Sequence, residues 1–396
     1  MNDTLQQLMR DATRLTRAGR LDEATETIQR ALRVKAQAQP AKTPAKADTT
    51  GKSGPVILDA SATVPGGNVF EVDMRDYDAT EAEFAAGETA HHEELQRPRQ
   101  SMTSDEYVDD CTERGKGEFI SGSHKHAQKM LRYKLYVPPK PVGRSLPLVV
   151  MLHGCMQDPD DFAAGTGMNE AAREQGFFVL YPEQSPSANA SRCWNWFQPE
   201  DQQRGSGEPA LIASMTLAQI KKYHIDPRRV YIAGLSAGGA MATIIAEAYP
   251  EVFAAVGVHS GLARGAASNV MEAFTVMQTG DTSRAEHVAG INMKVSVPTI
   301  VFHGDQDQTV HPRNGEQVIA AVLREAPQAK IERGVSPKGR HYTRARHVDK
   351  KGQRLAEHWL VHGAGHAWSG GDVAGTFTDA SGPDATREML RFFFTQ

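Results

Sequence analysis

The sequence predicts a doubly wound, mostly parallel α/β sheet over residues 106–396, preceded by a helical N-terminal extension and a linker. Two observations carry this expectation. Beyond residue 115, short β-rich runs alternate with helical stretches. Several runs, LPLVVML at 146–152 and PTIVFHG at 298–304 among them, are almost continuously apolar. That pattern suits parallel strands covered by helices on both faces.

Strands are expected at Met130–Val137, Leu148–Leu152, Phe177–Tyr181, Arg229–Ala233, Ala254–His259, Thr299–Phe302 and His358–Val361. Helices are expected at Asn169–Gln175, Pro209–Tyr223, Ala237–Tyr249 and Asn314–Glu325. A last helix should begin near Pro383-Asp384, with proline at its start. The basic segment 333–354 carries an Asp349-Lys350-Lys351-Gly352 turn and reads as a solvated hairpin.

Residues 1–35 read as a helical hairpin. Leu5, Leu8, Met9, Ala12 and Leu15 share one face, and Leu21, Ala24, Ile28 and Leu32 repeat the spacing after Gly19. One hairpin cannot bury both faces, so it should dock on the chain itself, or on a granule or protein partner. Residues 36–105 read as a flexible linker, since 36–55 are rich in Ala, Pro, Lys and Thr. Gly51-Lys52-Ser53 is no phosphate loop: Lys46 stands where the first glycine is required. Adjacent His91 and His92 lack the helical spacing of a metal pair.

Composition removes several function classes. The chain of 396 residues is 40% hydrophobic and 23% charged, with a net charge of −4. That balance gives no pull toward nucleic acid. No run of about 18 apolar residues suggests a membrane span. The opening residues lack a basic stretch followed by an apolar core, so a cytoplasmic location is expected, with an extracellular one as the alternative. Three cysteines are too few for a disulfide scaffold. Nothing in the pattern calls for a metal or cofactor.

The strongest local signal is Gly234-Leu235-Ser236-Ala237-Gly238, between a predicted strand and an Ala-rich helix. This order resembles the nucleophile elbow of the α/β-hydrolase fold, where small residues let the helix start close against the strand. A serine hydroxyl needs a base, and in that fold the acid and histidine follow the serine in chain order. Thr299–Phe302 runs into His303-Gly304-Asp305-Gln306-Asp307-Gln308-Thr309-Val310, which fits HGxxDxxV with Asp307 as the acid; Asp305 is the competitor. His303 should brace this loop. The expected base is His366, in the Gly- and Ala-rich loop after the last strand. Oxyanion donors are expected at the backbone N–H groups of Ala237 and Cys155, with Gly154 permitting a close approach.

Taken together, LHGCMQ (152–157), YPEQ (181–184), CWNWF (193–197), GEPALIASMT (207–216), GLSAGGAMA (234–242), HSG (259–261), VFHGDQDQTVHP (301–312) and GHAWSGG (365–371) resemble the polyhydroxybutyrate-depolymerase family of esterases. The likeness spans about residues 116–396. It implies a serine esterase acting on ester or polyester substrates through Ser236, Asp307 and His366. It also implies a disulfide between Cys155 and Cys193, which a cytoplasmic location weighs against, so the pairing stays open. Trp194 and Trp196 are expected to line the substrate groove, with core packing as the alternative. Neither a signal peptide nor a C-terminal substrate-binding module of the secreted polymer degraders is expected. Short-chain hydroxyacyl esters or polyhydroxybutyrate-type oligomers are the first substrate reading. Feruloyl or acetylxylan esters are the second, and a tethering protein with secondary hydrolase activity is the third.

Overall fold

The computed structural model describes residues 115–139, 145–280, 297–323, 329–349 and 352–396. The expected hairpin at 1–35 and linker at 36–105 lie outside these residues. Ten strands form one sheet: β1 (Glu118–His126), β2 (Lys129–Val137), β3 (Leu148–Leu152), β4 (Phe178–Glu183), β5 (Val230–Leu235), β6 (Ala255–His259), β7 (Thr299–Gly304), β8 (Ala329–Val335), β9 (His341–Val348) and β10 (Arg354–Val361). Their spatial order is β1-β2-β4-β3-β5-β6-β7-β10-β9-β8. The six central strands, β4 through β10 in that order, run parallel. An antiparallel pair closes each edge: β1 with β2, and β9 with β8.

Seven helices cover the two faces among the described residues: α1 (Pro159–Thr166), α2 (Met168–Gln175), α3 (Gly207–Tyr223), α4 (Ala237–Ala248), α5 (Val270–Thr279), α6 (Arg313–Val322) and α7 (Ala385–Phe393). The two-residue alternation of a strand decides which face each side chain serves. Leu148, Val150 and Leu152 of β3 join Val230 and Ile232 of β5 in a core with Ile212, Met241 and Val318 from α3, α4 and α6. Val149, Met151, Tyr231 and Leu235 point the other way, toward Phe162, Met168 and Phe393 from α1, α2 and α7. A sheet buried on both sides explains why its central strands are apolar at every position.

From β3 the chain steps outward to β4, then returns to lay β5, β6, β7 and β10 on the opposite side. The direction of winding therefore reverses between β3 and β5. In open α/β sheets the crevice beyond the strand C-termini at such a reversal is where ligands bind. Both the Ser236 turn and the loop after Leu152 leave the sheet there. None of the described helices is long and apolar enough to cross a membrane.

The structure adds elements that the sequence pattern missed. β1 and β8 are edge strands whose residues are mostly exposed or half-buried, so they carry no apolar alternation. α1 is announced only by its start, where Asp158 accepts hydrogen bonds from the N–H groups of Asp160 and Asp161 and Pro159 opens the first turn. The last helix starts one residue later than expected: Asp384 is its N-cap, accepting from Arg387 N, and Pro383 precedes the cap. The hairpin expected in the basic segment is present as β9 and β10, and β8 extends it.

α7 is fastened to the sheet by charge as well as by apolar contact. Arg391 Nη2 lies 2.5 Å from Oε2 of Glu357, a fully buried carboxylate in β10. Arg391 also binds Glu388 within the helix at 2.6 Å. Removing one partner of a buried pair strands the other charge, so Arg391→Met is expected to cost about 3 kcal/mol. Adding Glu357→Gln should recover much of that loss. Urea unfolding of both variants measures it, and a single-variant cost below about 1 kcal/mol would show that solvent already screens the pair.

Candidate active site

Ser236 sits between β5 and α4 with φ 57° and ψ −121°, a backbone conformation that non-glycine residues rarely adopt. Three features hold it there. Its N–H donates to His259 O at 2.9 Å, and its carbonyl accepts from Ala240 N at 3.0 Å. The third is close backbone packing: a Cβ at Gly238 would lie 2.0 Å from Leu152 O, and one at Gly234 would lie 2.3 Å from Gly238 C. Glycine at both positions lets the first turn of α4 rest directly on the end of β3.

The loop after β7 brings Asp307 to His366. Asp307 Oδ2 is 2.7 Å from His366 Nδ1, while Oδ1 accepts from the backbone N–H groups of Thr309 and Val310, each at 2.9 Å. Burial works against the charge on Asp307. The interactions with His303 and His366 and the Val310 N–H outweigh it, and the carboxyl is held well below the usual carboxylate range. His303 Nε2 bonds Val310 O at 2.8 Å, so the ring ties the two ends of this loop together. With Nδ1 committed to Asp307, Nε2 is the remaining proton-accepting atom of His366.

Asp305 takes a different partner. Its carboxylate binds His362 Nδ1 at 2.9 Å and the Gly363 N–H at 2.7 Å, and His362 Nε2 contacts Thr343 Oγ1 at 2.8 Å. Two Asp–His pairs thus clasp the same two loops, with Asp305–His362 as the more exposed one. The loops meet closely at Gly304, where a Cβ would lie 2.3 Å from Ala364 O.

His259 is a site residue that sequence reasoning passed over except as part of the HSG motif. Its carbonyl holds Ser236 N, and its Nε2 accepts from Ser369 N at 2.9 Å, three residues beyond His366. One residue therefore fixes both the serine turn and the histidine loop. Its ring stacks between Phe302 and Trp368. Burial, with His303 and His366 nearby, pushes its pKa down to about 3, so the ring is neutral and an acceptor. The readable signal was its position at the end of a central strand.

The loop after β3 lies against the serine: a Cβ at Gly154 would be 3.6 Å from Ser236 Cβ. Gly154 N donates to Gln157 Oε1 at 3.0 Å, and Met156 N donates to Ser191 O at 2.8 Å. Among the described residues the N–H groups of Cys155 and Ala237 have no hydrogen-bond partner. Cys155 is joined to Cys193 by a disulfide that ties this loop to the segment 38 residues later. Behind it, His153 Nε2 accepts from Gln184 N at 3.1 Å and Nδ1 donates to Gly154 O at 2.8 Å. Burial lowers this histidine to about 4, keeping it neutral.

Trp194 and Trp196 do not line an open groove. Trp194 has no exposed surface and Trp196 only 4%. Both belong to the core on the α3–α4 side of the sheet, and Trp194 Nε1 donates to His153 O at 3.0 Å. The motif CWNWF thus supports the Cys155 loop from behind. Asn195, between the tryptophans, donates its backbone and side-chain N–H groups to Glu208 at 2.8 and 2.7 Å, and Gln184 Nε2 donates to the same carboxyl at 2.5 Å. Burial, with Asp201 adding to it, pushes Glu208 up to about 7. Among the described residues no group of three or more His, Cys, Asp or Glu is arranged to hold a metal ion.

Comparison with known proteins agrees with this architecture. The chain is 35% identical over 192 residues to poly(3-hydroxyalkanoate) depolymerase C of Paucimonas lemoignei, covering 46% of this chain and 45% of that protein. It is 30% identical over 200 residues to feruloyl esterase B of Thermothelomyces thermophilus, covering 47% and 67%. Acetylxylan esterase A of Talaromyces purpureogenus is 31% identical over 208 residues, covering 49% and 53%. The chain thus spans about half to two thirds of the length of these relatives. Among solved structures, an acetyl xylan esterase from Aspergillus awamori superposes with a TM-score of 0.54 at 22% identity, covering 67% of this chain and 94% of that one, which shows a shared α/β-hydrolase fold. The family model for esterase PHB depolymerase matches residues 131–332, just over half of the chain, and the chain belongs to that family.

Proposed function

We propose that this protein is a carboxylic ester hydrolase that works through an acyl-enzyme on Ser236. One observation carries the reading: the Asp307–His366 pair accompanies a strained serine turn, and two free backbone N–H groups flank that serine. In this mechanism Ser236 Oγ attacks the ester carbonyl as His366 Nε2 takes its proton. The developing oxyanion is received by Ala237 N–H and Cys155 N–H, donors already fixed before the reaction begins. The imidazolium then gives its proton to the departing alcohol as the C–O bond breaks. Water repeats the sequence to release the acid. Asp307 keeps Nδ1 protonated and supports the imidazolium charge.

The substrate reading is a short-chain hydroxyacyl ester or a polyhydroxybutyrate-type oligomer, supported by the relative that bears a depolymerase name at 35% identity. Feruloyl and acetylxylan esters are the second reading, supported by relatives at 30–31% identity. Loops, not the sheet, set acyl and alcohol pockets. One purified sample assayed on p-nitrophenyl esters, feruloyl esters and a polyhydroxybutyrate suspension separates the two. The Cys155–Cys193 bridge favours an oxidising compartment, the extracellular alternative, over the cytoplasm.

Ser236→Ala is expected to abolish ester hydrolysis with an unchanged circular dichroism spectrum, and a fluorophosphonate should label Ser236 alone in the wild type. Retained activity above a few per cent would reject the nucleophile. Asp307→Asn should lower kcat by roughly 10³- to 10⁴-fold through loss of the imidazole's orientation and charge support. Asp305→Asn loosens only the neighbouring clasp and should cost about tenfold or less, as expected of a partly exposed pair. The reverse order in measured kcat would show that Asp305 is the acid.

A further inference from the structure

Phe377 combines three properties that nothing in the folding of its loop requires. Its backbone is left-handed, with φ 52°, at an aromatic residue. Its ring is 44% exposed, so burial does not compensate that strain. The ring stands edge-on to the His366 imidazole, with centroids 6.4 Å apart and planes at 79°.

The segment around it is firmly held. Thr376 binds Asp161 through its N–H at 2.8 Å and its Oγ1 at 2.6 Å. Gln157 of the Cys155 loop donates to Thr376 O at 3.1 Å. Trp368 N, two residues past His366, donates to Phe377 O at 2.7 Å within the short pair of β11 (Trp368–Ser369) and β12 (Thr378–Asp379). The loop thus bridges the Cys155 loop and the histidine loop, and it presents an uncovered apolar ring beside the base.

We propose that Phe377 is a specificity-determining residue that forms the wall of the leaving-alcohol subsite and favours esters whose alcohol lays an apolar face against the ring. The inference rests on the ester-hydrolase reading and deepens it. Its chemical warrant is the route of the proton. His366 delivers a proton to the alcohol oxygen as the ester C–O bond breaks, so a ring in contact with that imidazole borders the alcohol. The acyl chain, whose carbonyl oxygen points to the Cys155 and Ala237 N–H groups, extends elsewhere. An aromatic edge or face against an apolar alcohol adds attraction of the size seen between aromatic pairs.

Phe377→Gly tests this directly, because glycine adopts φ 52° without strain. Phenyl acetate and ethyl acetate share an acyl group and differ in the alcohol. The variant should lose about three- to tenfold in kcat/KM on phenyl acetate and less than about twofold on ethyl acetate. Deacylation, followed after a p-nitrophenyl acetate burst, should be unchanged because the alcohol has already left. The melting temperature should stay level or rise, and Phe377→Tyr should restore the preference for phenyl acetate. Equal losses on both esters, or slower deacylation, would show that the ring acts on His366 itself and would overturn the proposal. A fall in melting temperature with unchanged alcohol selectivity would overturn it in favour of a structural role. A wild type inert toward both acetates and unlabelled by fluorophosphonate would overturn the hydrolase reading and this inference with it. Activity without alcohol discrimination by Phe377 would overturn the inference alone.

Discussion

The arrangement of this site depends on one steric constraint, the contact between the first turn of α4 and the end of β3. With Gly238 set where a Cβ would meet Leu152 O at 2.0 Å, the helix can begin only one residue after the strand β5 ends. The residue between them, Ser236, is forced into positive φ and out of the sheet plane. The same contact leaves the Ala237 N–H at a helix start, where it has no intrahelical acceptor. It also brings the loop after β3, with its own free N–H at Cys155, alongside the serine. The place of the Ser236 side chain, its backbone strain and both unpaired N–H groups follow from two backbones being allowed to touch.

Strain of that kind persists only where the surroundings over-determine the geometry. Three buried histidines do much of this work. His153 holds the Cys155 loop to Gln184, His259 links the serine turn to Ser369, and His303 closes the Asp307 loop on Val310. For His153 and His259, imidazole suits the task because a neutral ring offers one donor and one acceptor on opposite sides. For His153 and His259, burial lowers the pKa to about 4 and about 3, so these struts keep their hydrogen-bond polarity across the neutral range. A protonated ring would lose the acceptor that grips Gln184 N or Ser369 N.

The central architecture was legible in the sequence because it rests on local, periodic signals. β3, β5 and β7 are continuous apolar runs, and the glycines around Ser236 and after His303 mark the close approaches that later proved to be backbone contacts at Gly238 and Gly304. What was not legible depends on tertiary context. β1 and β8 form by pairing at an edge and carry little apolar pattern. Trp194 and Trp196 look the same in sequence whether they face a ligand or a core; only the positions of His153 O and the α3 side of the sheet made them internal braces. The same ambiguity hid Phe377. Its neighbours in sequence are small and polar, and its meaning comes from β11–β12 pairing that returns the chain to His366.

The two adjacent Asp–His pairs show why residue type alone does not single out the proposed acid. Asp305 and Asp307 lie on one loop, and each binds the Nδ1 of a histidine from the facing loop. Their surroundings differ. Asp307 is buried and receives two backbone N–H groups from its own loop as well as the imidazole, so its charge is stabilised by fixed dipoles and little by water. Asp305 is partly solvated, and the backbone N–H it receives belongs to the opposite loop at Gly363. A fixed, desolvated carboxylate acts strongly on the charge that forms on its imidazole, whereas solvent screens a partly exposed one. His362 is further committed through Nε2 to Thr343, which leaves it no ring nitrogen for proton transfer. His366 has that nitrogen free of the Asp307 bond. The outer pair therefore clasps the loops, and the inner pair has the charge support and the open atom that the proposed ester chemistry requires.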